Sequence, residues 1–139
     1  MFYNNVLEAI GDTPLIKLQR IVPEGSAQVL VKYEGVNIGG SIKTRTALSM
    51  INEAEKRGII NKDTVIVEPT SGNQGIGLSL IGAVKGYKVV IVMPDSVSEE
   101  RRKLVKAYGA ELILIHDDGD IGACIEECLA SALRMAEEN

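Results

Sequence analysis

The sequence predicts an α/β domain built on an open, mostly parallel twisted sheet with helices on both faces. Three observations predict it. Short Val- and Ile-rich apolar runs alternate with longer segments of helical period, the alternation recurs four times in 139 residues, and each run is bounded by glycine, proline or charge. Strands buried on both faces read in this way, and such alternation is the signature of a parallel sheet with right-handed helical crossovers. With 45% apolar residues, 24% charged residues and a mean hydropathy of +0.10, the chain has enough apolar material to form a core without disulfides or metal.

The elements follow in order. Residues 29–33 are the first expected strand. Ala47, Met50, Ile51 and Ala54 then recur at i, i+3, i+4 and i+7 opposite Asn52, Glu53, Lys56 and Arg57, and Gly58 closes this amphipathic helix. Residues 64–67 form the next strand and 74–85 a helix apolar nearly all round, which places it deep in the domain. After a strand at 89–93, Ser98 is expected to cap a helix with Glu99 and Glu100 in its first turn and Leu104, Val105 and Tyr108 on its buried stripe. A strand at 112–115 leads to a last helix marked by Ile121, Cys124, Ile125, Cys128, Leu129, Ala132 and Ala136. No repeat, low-complexity stretch or Pro- or Ser-rich linker marks a boundary within the chain.

Composition excludes several function classes. The net charge is −4, and with one phenylalanine and no tryptophan the chain lacks the basic footprint and stacking aromatics of a nucleic-acid binder. Charge is uneven: residues 1–94 hold ten basic and eight acidic side chains, residues 95–139 five and eleven, so a small anionic ligand should prefer the first part. Cys124 and Cys128 match neither a disulfide framework nor a zinc site and are expected as buried thiols, and His116 is expected at the surface. The start has no leader pattern, and the apolar stretch 75–93 is broken by Lys85 and Lys88, so no membrane role and a cytoplasmic location are expected.

In open α/β sheets ligands sit beyond the carboxyl ends of the strands, which directs attention to two loops. In Asn37-Ile38-Gly39-Gly40-Ser41-Ile42-Lys43, two glycines allow a sharp turn, Ser41 can cap the helix that follows, and Lys43 falls in the first helical turn. There it reads either as an amine that the helix dipole favours in the neutral form, which condenses with a carbonyl, or as an exposed lysine that reaches out to water. In Glu68-Pro69-Thr70-Ser71-Gly72-Asn73-Gln74-Gly75, hydroxyls, an amide and a glycine surround a helix start and read either as a cradle for a carboxylate or phosphate or as a cap by Ser71 or Asn73. The glycines from Gly72 to Gly77 follow neither the dinucleotide nor the P-loop order, which disfavours nucleotides.

Taken with Gly11-Asp12-Thr13-Pro14-Leu15 and with Met93-Pro94 followed by Ser98-Glu99-Glu100-Arg101-Arg102, these loops resemble the ordered landmarks of the pyridoxal-phosphate-dependent cysteine synthase and cystathionine β-synthase family. The resemblance covers essentially the whole chain and implies the fold type II architecture. It implies that Lys43 carries pyridoxal 5'-phosphate and later moves protons, that Asn73 hydrogen-bonds the cofactor ring oxygen, and that Thr70, Ser71, Gly72, Asn73 and Gln74 grip the substrate carboxylate. The activity implied is β-replacement on serine, O-acetylserine or cysteine with sulfide or a thiol, with H₂S release when cysteine is the donor. Ile38, Thr44 and Gln74 stand where the family commonly has proline, aspartate and threonine, and bear on substrate choice. The family continues into a second half with a phosphate-binding loop, so residues 1–139 are expected to be an amino-terminal half, with a small mobile α/β subdomain within about 45–139. A homodimer of the complete chain, or association with the missing half, is expected. The alternative is a half-length, non-catalytic amino-acid-binding or regulatory module.

Overall fold

The computed structural model describes residues 2–138; Met1 and Asn139, the ends of the expected unit, lie outside them. The chain folds as β1 (Leu15–Lys17), β2 (Leu30–Lys32), α1 (Lys43–Lys56), β3 (Val65–Pro69), α2 (Asn73–Lys85), β4 (Lys88–Pro94), α3 (Glu99–Ala107), β5 (Glu111–Ile115) and α4 (Ile121–Glu138), with short 3-10 turns at Val6–Ala9 and Glu34–Val36. Strands β3, β4 and β5 form a parallel sheet in that order, with Val65 opposite Lys88 and Val90 opposite Glu111.

Central β4 shows why the sheet must be covered twice. Val89, Ile91 and Met93 point into one apolar cluster with Ala47 and Ile51 of α1, Ile76, Leu78 and Ile81 of α2, and Val105 of α3. Val92 points the other way, into a cluster with Cys124, Cys128 and Ala132 of α4. Successive strand residues alternate faces, so a strand buried on both sides is apolar throughout, as read from the sequence. Helix α2 is buried from Gly75 to Gly82, matching its all-round apolar pattern. Its glycines permit close approach: a Cβ at Gly82 would stand 2.3 Å from Val89 Cγ2, and one at Gly75 2.7 Å from Thr70 Cγ2.

The expected strand 29–33 does not join this sheet. It forms β2, which pairs antiparallel with β1, and all three of its residues are exposed. A short apolar run signals extended backbone but not its pairing partner, and here Leu15-Ile16-Lys17 supplies one by sequence proximity. The strand–helix alternation therefore builds a three-stranded parallel sheet rather than four strands. Helix ends were closer to expectation. Gly58 and Gly109 take positive φ just past α1 and α3, with Ile59 N–H closing back to the Ala54 carbonyl at 2.9 Å. Among the described residues no helix is long and apolar enough to cross a membrane.

Candidate functional site

Strands β3, β4 and β5 end at Pro69, Pro94 and Ile115, so the loops that follow them emerge at one edge of the sheet. The loop before α1 reaches the same edge through helix packing. A Cβ at Gly77 would lie 3.2 Å from the Lys43 carbonyl oxygen and 3.3 Å from both Ala47 Cβ and Thr44 Cα. The first turn of α1 therefore rests directly on α2, one turn after Asn73. At the far end, Lys85 pairs with Glu55 at 2.5 Å and Tyr87 donates to the same carboxylate at 2.9 Å, which fixes how the two helices run past each other. The Lys85 ammonium, with Tyr87 donating beside it, holds the Glu55 carboxyl below the usual range against the opposing effect of burial.

This packing brings Gly39, Gly40 and Asn73 together on a cavity of about 280 Å³ that Ser98 and Arg101 of the next loop and helix complete. Lys43 is the first residue of α1; it is exposed, and its amine has no partner among the described residues. Lys32 and Lys85, by contrast, are engaged with the Thr13 carbonyl and with Glu55. Thr70 and Ser71 do not share that cavity. They line one of about 330 Å³ with Pro94, Ile125, Cys128 and Leu129, on the α4 side of the sheet edge. Gly72 occupies the N-cap position between the two, and Gln74 turns toward α1, where its Nε2 donates to Met50 Sδ at 3.5 Å while its buried Oε1 has no partner. The expected loop 70–74 is thus contiguous in sequence but opens in three directions.

The expected caps are corrected. Ile42, not Ser41, is the N-cap of α1, and Ser41 Oγ instead accepts from Lys43 N–H at 3.2 Å, a local turn that competes with capping. Ser98 sits at the N-cap of α3 as expected, but its side chain makes no cap bond. Neither Ser71 nor Asn73 caps α2: Gly72 holds that position with no side chain to offer, its N–H donating to Thr70 Oγ1 at 3.2 Å. The charged run 99–103 is an exposed helix face apart from half-buried Arg102. Glu99 and Lys103 pair at 2.9 Å in water, but Arg101 donates to the Ser71 carbonyl at 3.4 Å.

A polar node behind the Lys43 loop had no clear sequence signal. Arg45 donates to Glu34 twice, from Nε at 3.0 Å and Nη2 at 2.8 Å, and Nη2 also reaches the Gly11 carbonyl at 2.6 Å and Thr13 Oγ1 at 3.0 Å. Thr13 donates to the same carboxylate at 2.7 Å. Arg45 and Thr13 together hold the Glu34 carboxyl down at about 2, against burial, which raises it, and Asn37 contributes less. Gly11 is required here, because at φ +96 its Cβ would stand 2.4 Å from Arg45 Nη1. The spacing from Gly11-Asp12-Thr13 to Glu34 and Arg45 is too long for any local motif, so only folding reveals it.

The two cysteines and the histidine stand as expected. Cys124 and Cys128 are buried free thiols, Cys128 pushed up to about 11 by burial and by the neighbouring thiol. His116 is exposed, its Nδ1 2.8 Å from Asp95 Oδ2, and that carboxylate raises it while itself being lowered. Among the described residues no group of three His, Cys, Asp or Glu side chains could hold a metal ion.

Comparison with known proteins agrees with this architecture. The family described as pyridoxal-phosphate dependent enzyme matches residues 6–139. A cysteine synthase of Flavobacterium sp. is 49% identical over 138 residues, 99% of this chain and 43% of its own length. A cysteine synthase of Staphylococcus aureus is 54% identical over 135 residues, 97% of this chain and 41% of its own. A hydrogen sulfide-producing enzyme of Fusobacterium nucleatum superposes with a TM-score of 0.86 at 48% identity, covering 99% of this chain and 44% of that one. An O-ureido-L-serine-bound mutant of O-ureido-L-serine synthase superposes with a TM-score of 0.87 at 43% identity, covering 99% and 41%. The chain spans a little over two fifths of the length of the relatives it matches.

Proposed function

This chain belongs to the pyridoxal-phosphate dependent enzyme family, and from that membership we propose that the full-length protein catalyses β-replacement on an amino acid, as cysteine synthases do. Serine, O-acetylserine or cysteine would be the amino acid and sulfide or a thiol the replacing group, with H₂S released when cysteine is the donor. The names and 49–54% identity of the cysteine synthases, and the sulfide-producing neighbour, support this reading. A cytoplasmic dimer, with the α/β unit from about residue 45 moving as a small subdomain, completes the proposal.

The residues present fit the cofactor. Among the described residues, and apart from the adjoining ones in the chain, no atom lies within 4 Å of where a Cβ would stand at Gly40 or Gly72, so a ligand can approach either backbone closely. The single observation that carries the reading is the seating of the Lys43 turn on Gly77 of α2. It seats the Lys43 main chain against the first turns of the amide-bearing helix, beside the cavity that Gly39, Gly40 and Asn73 line. Pyridoxal phosphate supplies the electron sink that makes the Cα–H of a bound amino acid acidic. Lys43 would hold the cofactor through its amine and then accept and return the Cα proton. Asn73 would donate its amide to the cofactor ring oxygen. Thr70, Ser71, Gly72, Asn73 and Gln74 would bind the carboxylate through hydroxyls, side-chain amides and the unpaired N–H groups at the start of α2. Closure of the subdomain would exclude water.

Borohydride reduction of the full-length protein, followed by peptide mass mapping, tests the assignment. The expected result is cofactor mass on the peptide containing Lys43. Label on Lys32, Lys85 or another lysine would overturn it.

A further inference from the structure

We propose that Asn37, locked by Glu34 and Arg45, is a positioning residue that sets the angle and height at which the chain presents Lys43. The proposal rests on the assignment of Lys43 as the cofactor lysine and goes beyond it by naming what aims that amine.

The argument begins with burial. Asn37 is 5% exposed, yet it is a polar side chain at the start of a glycine loop, and each of its groups is used. Its Oδ1 accepts from Gly11 N–H at 2.9 Å, and its Nδ2 donates to Glu34 Oε2 at 3.0 Å and to the Ser41 carbonyl at 3.3 Å. Its own carbonyl accepts from Gly40 N–H at 2.7 Å. Asn37, just before the loop's most deformable point, therefore ties itself to Gly40 and Ser41 across the consecutive glycines Gly39 and Gly40, both at positive φ. A glycine pair is free to take many conformations, and these two bonds select one.

The loop then passes this choice to Lys43. Ser41, whose carbonyl Asn37 holds, accepts the Lys43 N–H on its Oγ, and Thr44, fully buried, donates to the same Ser41 carbonyl at 3.4 Å. Asn37 could not hold its amide orientation alone, since an amide can flip. Glu34 fixes it: the carboxylate is acceptor-only, so only the Nδ2 edge of Asn37 can face it. Glu34 is fixed in turn by the two-pronged Arg45 pair, and Arg45 lies two residues after Lys43 on the same helix. The circuit from Lys43 through Ser41, Asn37, Glu34 and Arg45 returns to α1. It contributes no atom to the cavity that Asn73 lines, so its effect must pass through backbone geometry.

Catalysis is sensitive to such geometry, with misplacement of a reacting group by about 1 Å costing up to roughly a hundredfold in rate. Asn37→Asp keeps shape and the Gly11 bond but loses both donors and sets a second carboxylate against Glu34. Glu34→Gln keeps shape but removes the charge that orients both Asn37 and Arg45. In the full-length protein each substitution is expected to lower kcat by roughly ten- to a hundredfold while KM for the amino acid stays within about twofold, because the carboxylate loop is untouched. Borohydride should still fix the cofactor to Lys43, and the absorption band of the bound cofactor should shift. Arg45→Lys, which keeps the charge but not the fork, should give a smaller loss than Glu34→Gln. A fall in Tm with kcat and absorption unchanged in both Asn37→Asp and Glu34→Gln would overturn the positioning role. Label on a different lysine in the unsubstituted protein would overturn the Lys43 assignment itself, and with it this proposal.

Discussion

The loop that carries Lys43 and the loop from Thr70 to Gln74 both lead into helices at the same sheet edge, yet they are held in opposite ways. Behind the first stands a closed circuit of side chains, in which Asn37, Glu34, Thr13 and Arg45 satisfy one another and one ion pair anchors the set. The second is held by three separate bonds, each with a main-chain group on at least one side: Thr70 N–H to the Val92 carbonyl at 2.9 Å, Gly72 N–H to Thr70 Oγ1, and Arg101 to the Ser71 carbonyl at the long distance of 3.4 Å. No side chain caps α2, and Gln74 Oε1 is buried without a partner. The proposed roles match the contrast: a group that forms a bond at one place is served by a fixed mount, and donors that gather round a carboxylate by unspent hydrogen-bonding capacity.

The largest effect should come from the mounted group itself. Lys43→Ala in the full-length protein should abolish covalent cofactor attachment and lower turnover about 10²–10⁴-fold, read by the visible absorption of the bound cofactor and by product formation. Retained attachment would dissolve the contrast between the loops.

On the second loop, Ser71→Ala should weaken amino-acid binding roughly ten- to a hundredfold, the equivalent of about 1.5–3 kcal/mol for one charge-assisted bond, while the cofactor stays attached. Titration of the cofactor spectrum with amino acid measures it. Unchanged affinity would mean that the loop is only a helix start.

Acid titration sharpens the first half of the comparison. The Glu34 carboxyl is held at about 2 in the fold against an ordinary value of 4.5. A depressed carboxyl stabilises the fold fully above its unfolded value, and that contribution is lost as pH falls from about 4.5 toward 2. Thermal unfolding of the 139-residue chain should therefore lose Tm across this window, and Glu34→Gln should lose less there, whereas Ser71→Ala should follow the parent curve.

The smallest effect belongs to Gln74→Thr. It removes the weak contact with Met50 and the unpartnered Oε1, so stability should change by no more than about 0.5 kcal/mol. The ranking among serine, cysteine and O-acetylserine should change in competition assays. An unaltered ranking would take Gln74 out of substrate choice.

The sequence by itself determined the layers and the landmarks. Apolar runs at β3, β4 and β5, the helical period of α1 and the all-round apolar α2 each follow from local periodicity, which needs no knowledge of the partner element. Lys43 at the head of α1 and Asn73 at the head of α2 were legible for the same reason, since glycines and a change of period mark where helices begin. Only the tertiary structure decided that 30–32 pairs with 15–17 outside the main sheet, because a strand's partner is a long-range choice between edges of similar character. It alone decided that Thr70 and Ser71 face a different cavity from Asn73, since the chain turns at Gly72 between the strand end and the first residue of α2. And it alone assembled Gly11, Thr13, Glu34, Asn37 and Arg45, because hydrogen bonds between residues 11 to 34 positions apart leave no period in the chain that carries them.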